Sequence, residues 1–77
     1  MMRSPQDLPM LGPPNGTRNK VVSGKTIQIR HYGSDGRATK NIDYGHDHTG
    51  AGDPHAHDWD WSKKPARQGA RRLEPGE

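Results

Sequence analysis

Four of the chain's five histidines form two His-x-His pairs between residues 45 and 61. The pairs are His46/His48 and His55/His57; alternate positions of an extended strand project both imidazoles of a pair from one face, where they can reach one ion. Four imidazoles could close a structural zinc site, and three would leave a position open for water. The carboxylates that could bind the ion or orient the imidazoles are those of Asp43, Asp47 and Asp53. The sequence therefore contains a candidate zinc site.

The same histidines could instead perform acid–base catalysis on RNA. Cleavage needs a base to take the 2′-hydroxyl proton, an acid to protonate the leaving oxygen, and a cation to hold the charge that develops between them. Histidine suits the first two roles because its pKa lies near neutral pH, and lysine or arginine suits the third. We expect His57 and either His46 or His48 to form the acid–base pair. The remaining candidate catalytic residues are His55, Arg30, Lys40 and Asp43. A third interpretation is a solvated loop with no special role.

A β-hairpin is expected to position these side chains. "KTIQIRHY", residues 25–32, alternates strictly, with Ile27 and Ile29 on one face. "GSDG" is a turn signal, and "RATKNIDY", residues 37–44, predicts the second strand. A register that sets Ile27 opposite Ile42 pairs the apolar positions across the hairpin.

"PHAHDWDW", residues 54–61, predicts a third strand with His55, His57, Trp59 and Trp61 on one face. The tryptophans are expected to be core residues, or a stacking platform for unpaired bases if one indole stays exposed. The predicted fold is small and mostly β: a three-stranded antiparallel sheet, made of the hairpin plus one His/Trp strand, with disordered or extended termini.

The composition indicates one small domain with a weak apolar core. The chain has 77 residues, of which 26% are hydrophobic, and it has no cysteine. We expect a Pro/Gly-rich linker at 1–19, a folded domain at 20–62 and a basic flexible tail at 63–77. So small a core is expected to need a metal, a bound partner or a parent protein. The absence of cysteine excludes disulfides and thiolate zinc sites. No apolar run is long enough to span a membrane, and no secretion signal is visible.

Three motifs resemble the type-24 polymorphic toxin domain, over about the middle half of the chain. They are the Tyr-Gly-x-Asp-Gly-Arg hairpin at Tyr32–Arg37, the strand end Ile42–Tyr44 and the Pro-His-x-His-x-Trp element at Pro54–Trp59. The loop "GHDHTGAGD" between them contains two histidines where the family pattern has one. Which of His46 and His48 takes the family position is therefore open.

The resemblance implies a toxin module, a nuclease of predicted rather than shown activity, that a cognate immunity protein neutralises. Such domains occur at the ends of secreted bacterial toxins and on phage head-associated proteins. We therefore expect a ribonuclease with RNA and an immunity protein as partners, delivered by a larger parent protein into the cytoplasm of a target cell, or cytoplasmic if phage-encoded. The alternative is a non-enzymatic module that binds zinc through its histidines, or a phage-encoded protein that docks on a protein or nucleic-acid partner. An inhibitor of another protein is a third possibility.

Overall fold

Five antiparallel strands form one sheet in the computed structural model, which describes residues 8–45 and 52–77. The strands are β1 (Thr17–Val22), β2 (Lys25–Tyr32), β3 (Ala38–Asp43), β4 (His55–Trp59) and β5 (Arg67–Arg72). Their order in the sheet follows their order in the chain, so each strand pairs with the next. No helix occurs in the described residues. The prediction of a small, mostly-β antiparallel fold is confirmed.

The prediction of three strands is wrong, because the sheet continues beyond the predicted 20–62 on both sides. β1 begins inside the predicted linker and pairs with β2, and β5 lies inside the predicted tail and pairs with β4. The sequence of β5, "RQGARR", has no apolar alternation. Backbone hydrogen bonds to β4 hold it in the sheet, and such bonds require no particular side chain.

The hairpin forms as predicted, but its register differs by two residues. Ile29 lies opposite Ile42, where Ile27 was expected. One residue of the difference comes from the length of the loop. The amide of Gly33 donates to the carbonyl of Arg37, so three residues form the loop instead of the four of "GSDG". The other comes from a bulge between His31 and Tyr32. A shift of two preserves the face on which each side chain lies.

The segment at residues 8–12 lies against the start of β3. The amide of Ala38 donates to the carbonyl of Met10, and the amide of Gly12 donates to the carbonyl of Gly36. The hydroxyl of Tyr32 donates to the carbonyl of Pro9 over 2.6 Å. A Cβ at Gly12 would lie 2.6 Å from the ring of Tyr32, so glycine permits this close approach. Part of the predicted linker is therefore packed on the domain.

The two faces of the sheet differ in chemistry. One, the isoleucine face, carries the cross-strand row Ile29–Ile42–Ala56. The other, the polar face, carries two rows that run across β2, β3 and β4. These rows are Gln28–Asp43–His55 and Arg30–Asn41–His57. Four of these polar residues are buried: Arg30, Asn41, Asp43 and His55. Ile27 and Ile29 are only half-buried, so the polar face holds much of the interior.

No helix within residues 8–45 and 52–77 is long and apolar enough to cross a membrane.

Candidate metal centre

Asp43, His55 and His57 converge at one point on the polar face. Asp43 ends β3, and the two histidines lie on β4, where His55 is directly opposite Asp43. The Nε2 atoms of His55 and His57 lie 3.5 Å and 3.3 Å from the same oxygen, Oδ2 of Asp43. One ligand atom from each side chain lies within 4.8 Å of the other two, so the cluster could hold a metal ion.

The other nitrogen of each imidazole faces a backbone carbonyl. Nδ1 of His57 lies 2.9 Å from the carbonyl oxygen of Gln68, and Nδ1 of His55 lies 3.3 Å from that of Gly52. A carbonyl oxygen only accepts hydrogen bonds, so Nδ1 is the donor in each contact. In the neutral rings Nε2 then carries a lone pair, and this lone pair faces Asp43. Backbone contacts of this kind orient the histidine ligands of metal sites.

Asp43 is held from its other side by Gln28. Nε2 of Gln28 donates to Oδ1 of Asp43 over 2.8 Å. This bond leaves Oδ2 as the oxygen that faces the histidines. Gln28 lies opposite Asp43 on β2, so the register of the hairpin itself brings the amide to the carboxylate. A carboxylate that is both hydrogen-bonded and oriented in this way is typical of a metal ligand.

The cluster is nearly enclosed. The side chains of His55, Asp43 and His57 are 3%, 10% and 12% exposed. A buried carboxylate is costly unless a positive partner compensates its charge. A divalent cation bound between Oδ2 of Asp43 and the two Nε2 atoms would supply that partner. A protonated imidazole is the other group in the cluster that could do so.

The site lies where β3 and β4 join the segment between them. The amide of Gly45 donates to Oδ1 of Asp53 over 2.8 Å, which ties the two ends of this segment together. His46, His48 and Asp47 belong to residues 46–51, which lie outside the described residues. The predicted roles of His46 and His48, in catalysis or in metal binding, stay predictions.

The two predicted cations have partners outside the histidine pair. Nζ of Lys40 is 3.0 Å from Oε2 of Glu77, and Lys40 lies on the isoleucine face, opposite Asp58. Arg30 shares the polar face with the histidines, but its Nε donates to Oδ1 of Asn41 over 2.7 Å. Its Nη1 donates to the carbonyl of Leu8. The structure thus brings Asp43, His55 and His57 together, and the contacts above connect Lys40 to Glu77 and Arg30 to Asn41 and Leu8.

The fifth histidine is part of the isoleucine face. His31 lies opposite Lys40 on the neighbouring strand, away from the cluster. Burial lowers the pKa of His31, and the nearby charge of Lys40 lowers it further, while Glu77 acts in the opposite direction. His31 is therefore expected to be neutral at pH 7.

The two indoles lie beyond the cluster on the polar face. Their rings stack with centroids 5.5 Å apart and an interplanar angle of 24°. Nε1 of Trp59 donates to Oδ1 of Asn41 over 3.0 Å, and Nε1 of Trp61 donates to the carbonyl of Ala38 over 2.8 Å. Both residues are only half-buried. Each indole is therefore anchored in the fold and keeps part of its surface exposed, while the predicted stacking of unpaired bases stays a prediction.

Sequence reasoning missed the residues that support the site. Gln28 holds Asp43, Asn41 holds Arg30 and Trp59, and the backbone of Gln68 orients His57. The alternation of "KTIQIRHY" gave a signal for Gln28, because it places Gln28 and Arg30 together on the strand face opposite the isoleucines. No sequence signal pointed to Gln68, whose role depends on the pairing of β4 with β5.

No family model, curated protein or solved structure matches the chain. The resemblance to type-24 polymorphic toxin domains therefore stays a prediction.

Proposed function

We propose that this protein is a zinc-binding domain in which Asp43, His55 and His57 hold one ion. The observation that carries the proposal is the orientation of the two imidazoles. Both Nδ1 atoms face backbone carbonyls, and both Nε2 atoms face one carboxylate oxygen. Two lone pairs and a carboxylate aimed at one buried point are what a transition-metal ion requires.

The donor set selects the metal. Two imidazoles disfavour calcium and magnesium, which take oxygen ligands. Imidazole and carboxylate ligands suit zinc, which binds more tightly than ferrous iron in the ordinary order of divalent metals. Three protein ligands leave a fourth tetrahedral position for water.

The expected role of the ion is structural. The buried hydrophobic residues among those described are only Tyr32, Ala38, Ile42 and Ala56. Domains of this size often rely on a metal to complete a core that apolar burial leaves weak. An ion held by Asp43, His55 and His57 would join β3 to β4. The carbonyl of Gln68 would couple it to β5, because it fixes the ring of His57.

Calorimetric titration of the metal-stripped protein with zinc tests the proposal. We expect close to one equivalent to bind, with a rise in the thermal melting temperature. His57→Gln should weaken binding by about 100-fold or more, since it removes a direct ligand. His31→Gln is the matched control, because it makes the same chemical change on the isoleucine face, and it should bind zinc as the parent does.

Two results would contradict the proposal. One is a metal-free protein that melts at the same temperature with and without zinc. The other is equal loss of affinity in His57→Gln and His31→Gln, which would mean that zinc binds without a defined site. Parallel titrations with ferrous iron, calcium and magnesium check the choice of metal.

The ribonuclease interpretation is separable from zinc binding. It needs a cation beside the acid–base pair, and in the described structure Arg30 and Lys40 point to other partners. Total RNA incubated with the protein, with and without chelator, distinguishes the cases. Cleavage that survives chelation and is lost in His57→Ala would support acid–base catalysis over a structural metal. The predicted delivery into a target cell and the predicted immunity protein depend on the toxin resemblance and stay predictions with it.

A further inference from the structure

An open groove of about 770 Å³ lies beside the tryptophans, away from the metal ligands. Trp59 and Trp61 form part of its wall. The packed segment at residues 8–10 forms another part, and residues 63–67, which lead into β5, complete the lining. None of Asp43, His55 and His57 lines this groove. Its volume is in the range of pockets that take small ligands or a short piece of a chain.

The indoles are held in place before any ligand arrives. The hydrogen bonds from Trp59 to Asn41 and from Trp61 to Ala38 fix each ring, and the rings stack on each other. The guanidinium of Arg30 lies over the ring of Trp59, with Cζ 4.9 Å from the ring centroid. The guanidinium of Arg37 lies over the ring of Trp61, with Cζ 5.3 Å from the ring centroid. These contacts position both indoles before a ligand binds, which lowers the entropic cost of ordering them.

Positive charge surrounds this planar wall. Arg30 is a lining residue but is only 3% exposed, whereas Lys63, Lys64 and Arg67 line the groove with exposed side chains. Lys63 is within 3.8 Å of Asp60, but both side chains are largely exposed, so the pairing neutralises it weakly. Within the described ranges, Lys64 and Arg67 form no ion pair with a carboxylate. The groove thus combines aromatic surface with cations that a negatively charged ligand can reach.

We propose that this groove binds an unpaired nucleic-acid strand. Aromatic side chains that contact bases, combined with cations that contact phosphates, are the means by which proteins bind single strands without reading their sequence. In a duplex the bases stack on one another, so their faces would not be accessible to the indoles. The side chains of the lining offer contacts to bases and phosphates, so RNA and DNA single strands are expected to bind alike. The inference goes beyond the zinc site and rests on different residues.

Intrinsic fluorescence provides a direct assay, because Trp59 and Trp61 are the two tryptophans of the chain. The zinc-loaded protein is titrated with oligouridylate, with oligothymidylate of the same length and with a duplex. We expect both single strands to quench the fluorescence with similar affinity, and the duplex to bind at least about tenfold more weakly.

The variant Lys64→Gln/Arg67→Gln tests the phosphate contacts. Loss of two phosphate contacts should make the slope of log K against log salt concentration shallower by about 1.4, since each contact with a single strand contributes about 0.7. The matched control is Arg18→Gln/Lys25→Gln, which removes the same charge from exposed positions on β1 and β2. The control should keep the slope of the parent to within about 0.5.

The pair Trp61→Leu and Trp61→Phe tests the aromatic contact. Leu removes the planar ring, and binding should weaken about tenfold or more. Phe loses the same hydrogen bond to Ala38 but keeps a ring, so it should bind closer to the parent. Circular dichroism of each variant establishes that the sheet is present before binding is measured.

Several results would overturn the inference. They are absence of quenching by single strands, equal affinity for duplex and single strands, and equal losses in the groove and control charge variants. Binding of poly-glutamate as tightly as oligouridylate would show a general basic surface instead. Zinc content measured on the same samples keeps failure here distinct from failure of the metal site.

Discussion

Asn41 joins three strands through a single oxygen. On β3, its Oδ1 accepts from Nε of Arg30 on β2 over 2.7 Å and from Nε1 of Trp59 on β4 over 3.0 Å. Asn41 is fully buried and Arg30 is 3% exposed, so water has little access to the guanidinium nitrogen if the acceptor is lost. Asn41→Leu keeps a side chain of similar shape and removes the acceptor, which makes it a test of the hydrogen bonds alone.

The expected loss of stability can be worked from these contacts. A buried donor left without a partner costs about 1–3 kcal/mol, with a charged donor at the upper end of that range. Nε of Arg30 loses its acceptor at a buried position, at the upper end of this range, and Nε1 of Trp59 loses the same acceptor at a half-buried position, at the lower end. Nδ2 of Asn41 has no partner among the described residues, so its removal returns about 1–2 kcal/mol. The net loss for Asn41→Leu is therefore about 2–4 kcal/mol, and Asn41→Ala should lose somewhat more because it also leaves a cavity.

Urea unfolding of the zinc-loaded protein, followed by circular dichroism, measures this loss. With a slope near 1 kcal/mol per molar urea, as expected for so small a domain, the midpoint should fall by about 2–4 M. The slope itself should not change. If Asn41→Leu keeps a midpoint within about 0.5 M of the parent while Asn41→Ala does not, Asn41 acts by filling space and the hydrogen-bond argument is refuted.

Two further predictions concern the turn and the acid response. Gly36 has φ of +80°, and a Cβ there would lie 3.0 Å from the carbonyl oxygen of Gly12. Gly36→Ala should therefore lower the free energy of unfolding, measured in urea, by about 1–2 kcal/mol. Gly69→Ala is the control, because its Cβ meets nothing within 4 Å, and it should lower this free energy by less than about 0.5 kcal/mol. Hydrogen bonds from Arg71 hold the pKa of Asp58 and the pKa of Glu77 below their ordinary values of 3.8 and 4.5. Their stabilisation is therefore present above those values and is lost as pH falls through the lower folded-state values. The urea midpoint of the parent should decline below about pH 4, and an equal decline in Arg71→Gln would show that this network does not contribute.

The alternation of apolar and polar residues predicted the strands that have an apolar stripe, and it predicted only those strands. The predicted strands "KTIQIRHY" and "PHAHDWDW" contain β2 and β4. Alternation with a period of two residues identifies a strand only when its two faces differ in chemistry. β1 and β5 are edge strands of the described sheet and lack such a stripe. The bulge beside Tyr32 has no pattern in the sequence either, which is why the register was set two residues away.

The sequence singled out the three residues of the cluster, among other candidates, but not the residues that support them. His55 and His57 form one of the two His-x-His pairs, and Asp43 is one of the three carboxylates that the sequence offers near them. The alternation also places Gln28 and Arg30 on the strand face opposite the isoleucines, and it gives no signal that this face is buried. In the structure Arg30 is buried on this face, where it contacts Leu8, Pro9 and Trp59, and none of these contacts can be deduced from local sequence.

X-ray absorption at the zinc edge tests the central claim most directly, on the zinc-loaded double variant His46→Gln/His48→Gln. In this variant His31, His55 and His57 are the remaining imidazoles, and His31 lies on the other face of the sheet. The account predicts one zinc per chain, with two imidazole nitrogens and carboxylate oxygen at about 2.0–2.2 Å. A variant that no longer binds zinc, or zinc surrounded by oxygen alone, would contradict a metal centre built from Asp43, His55 and His57.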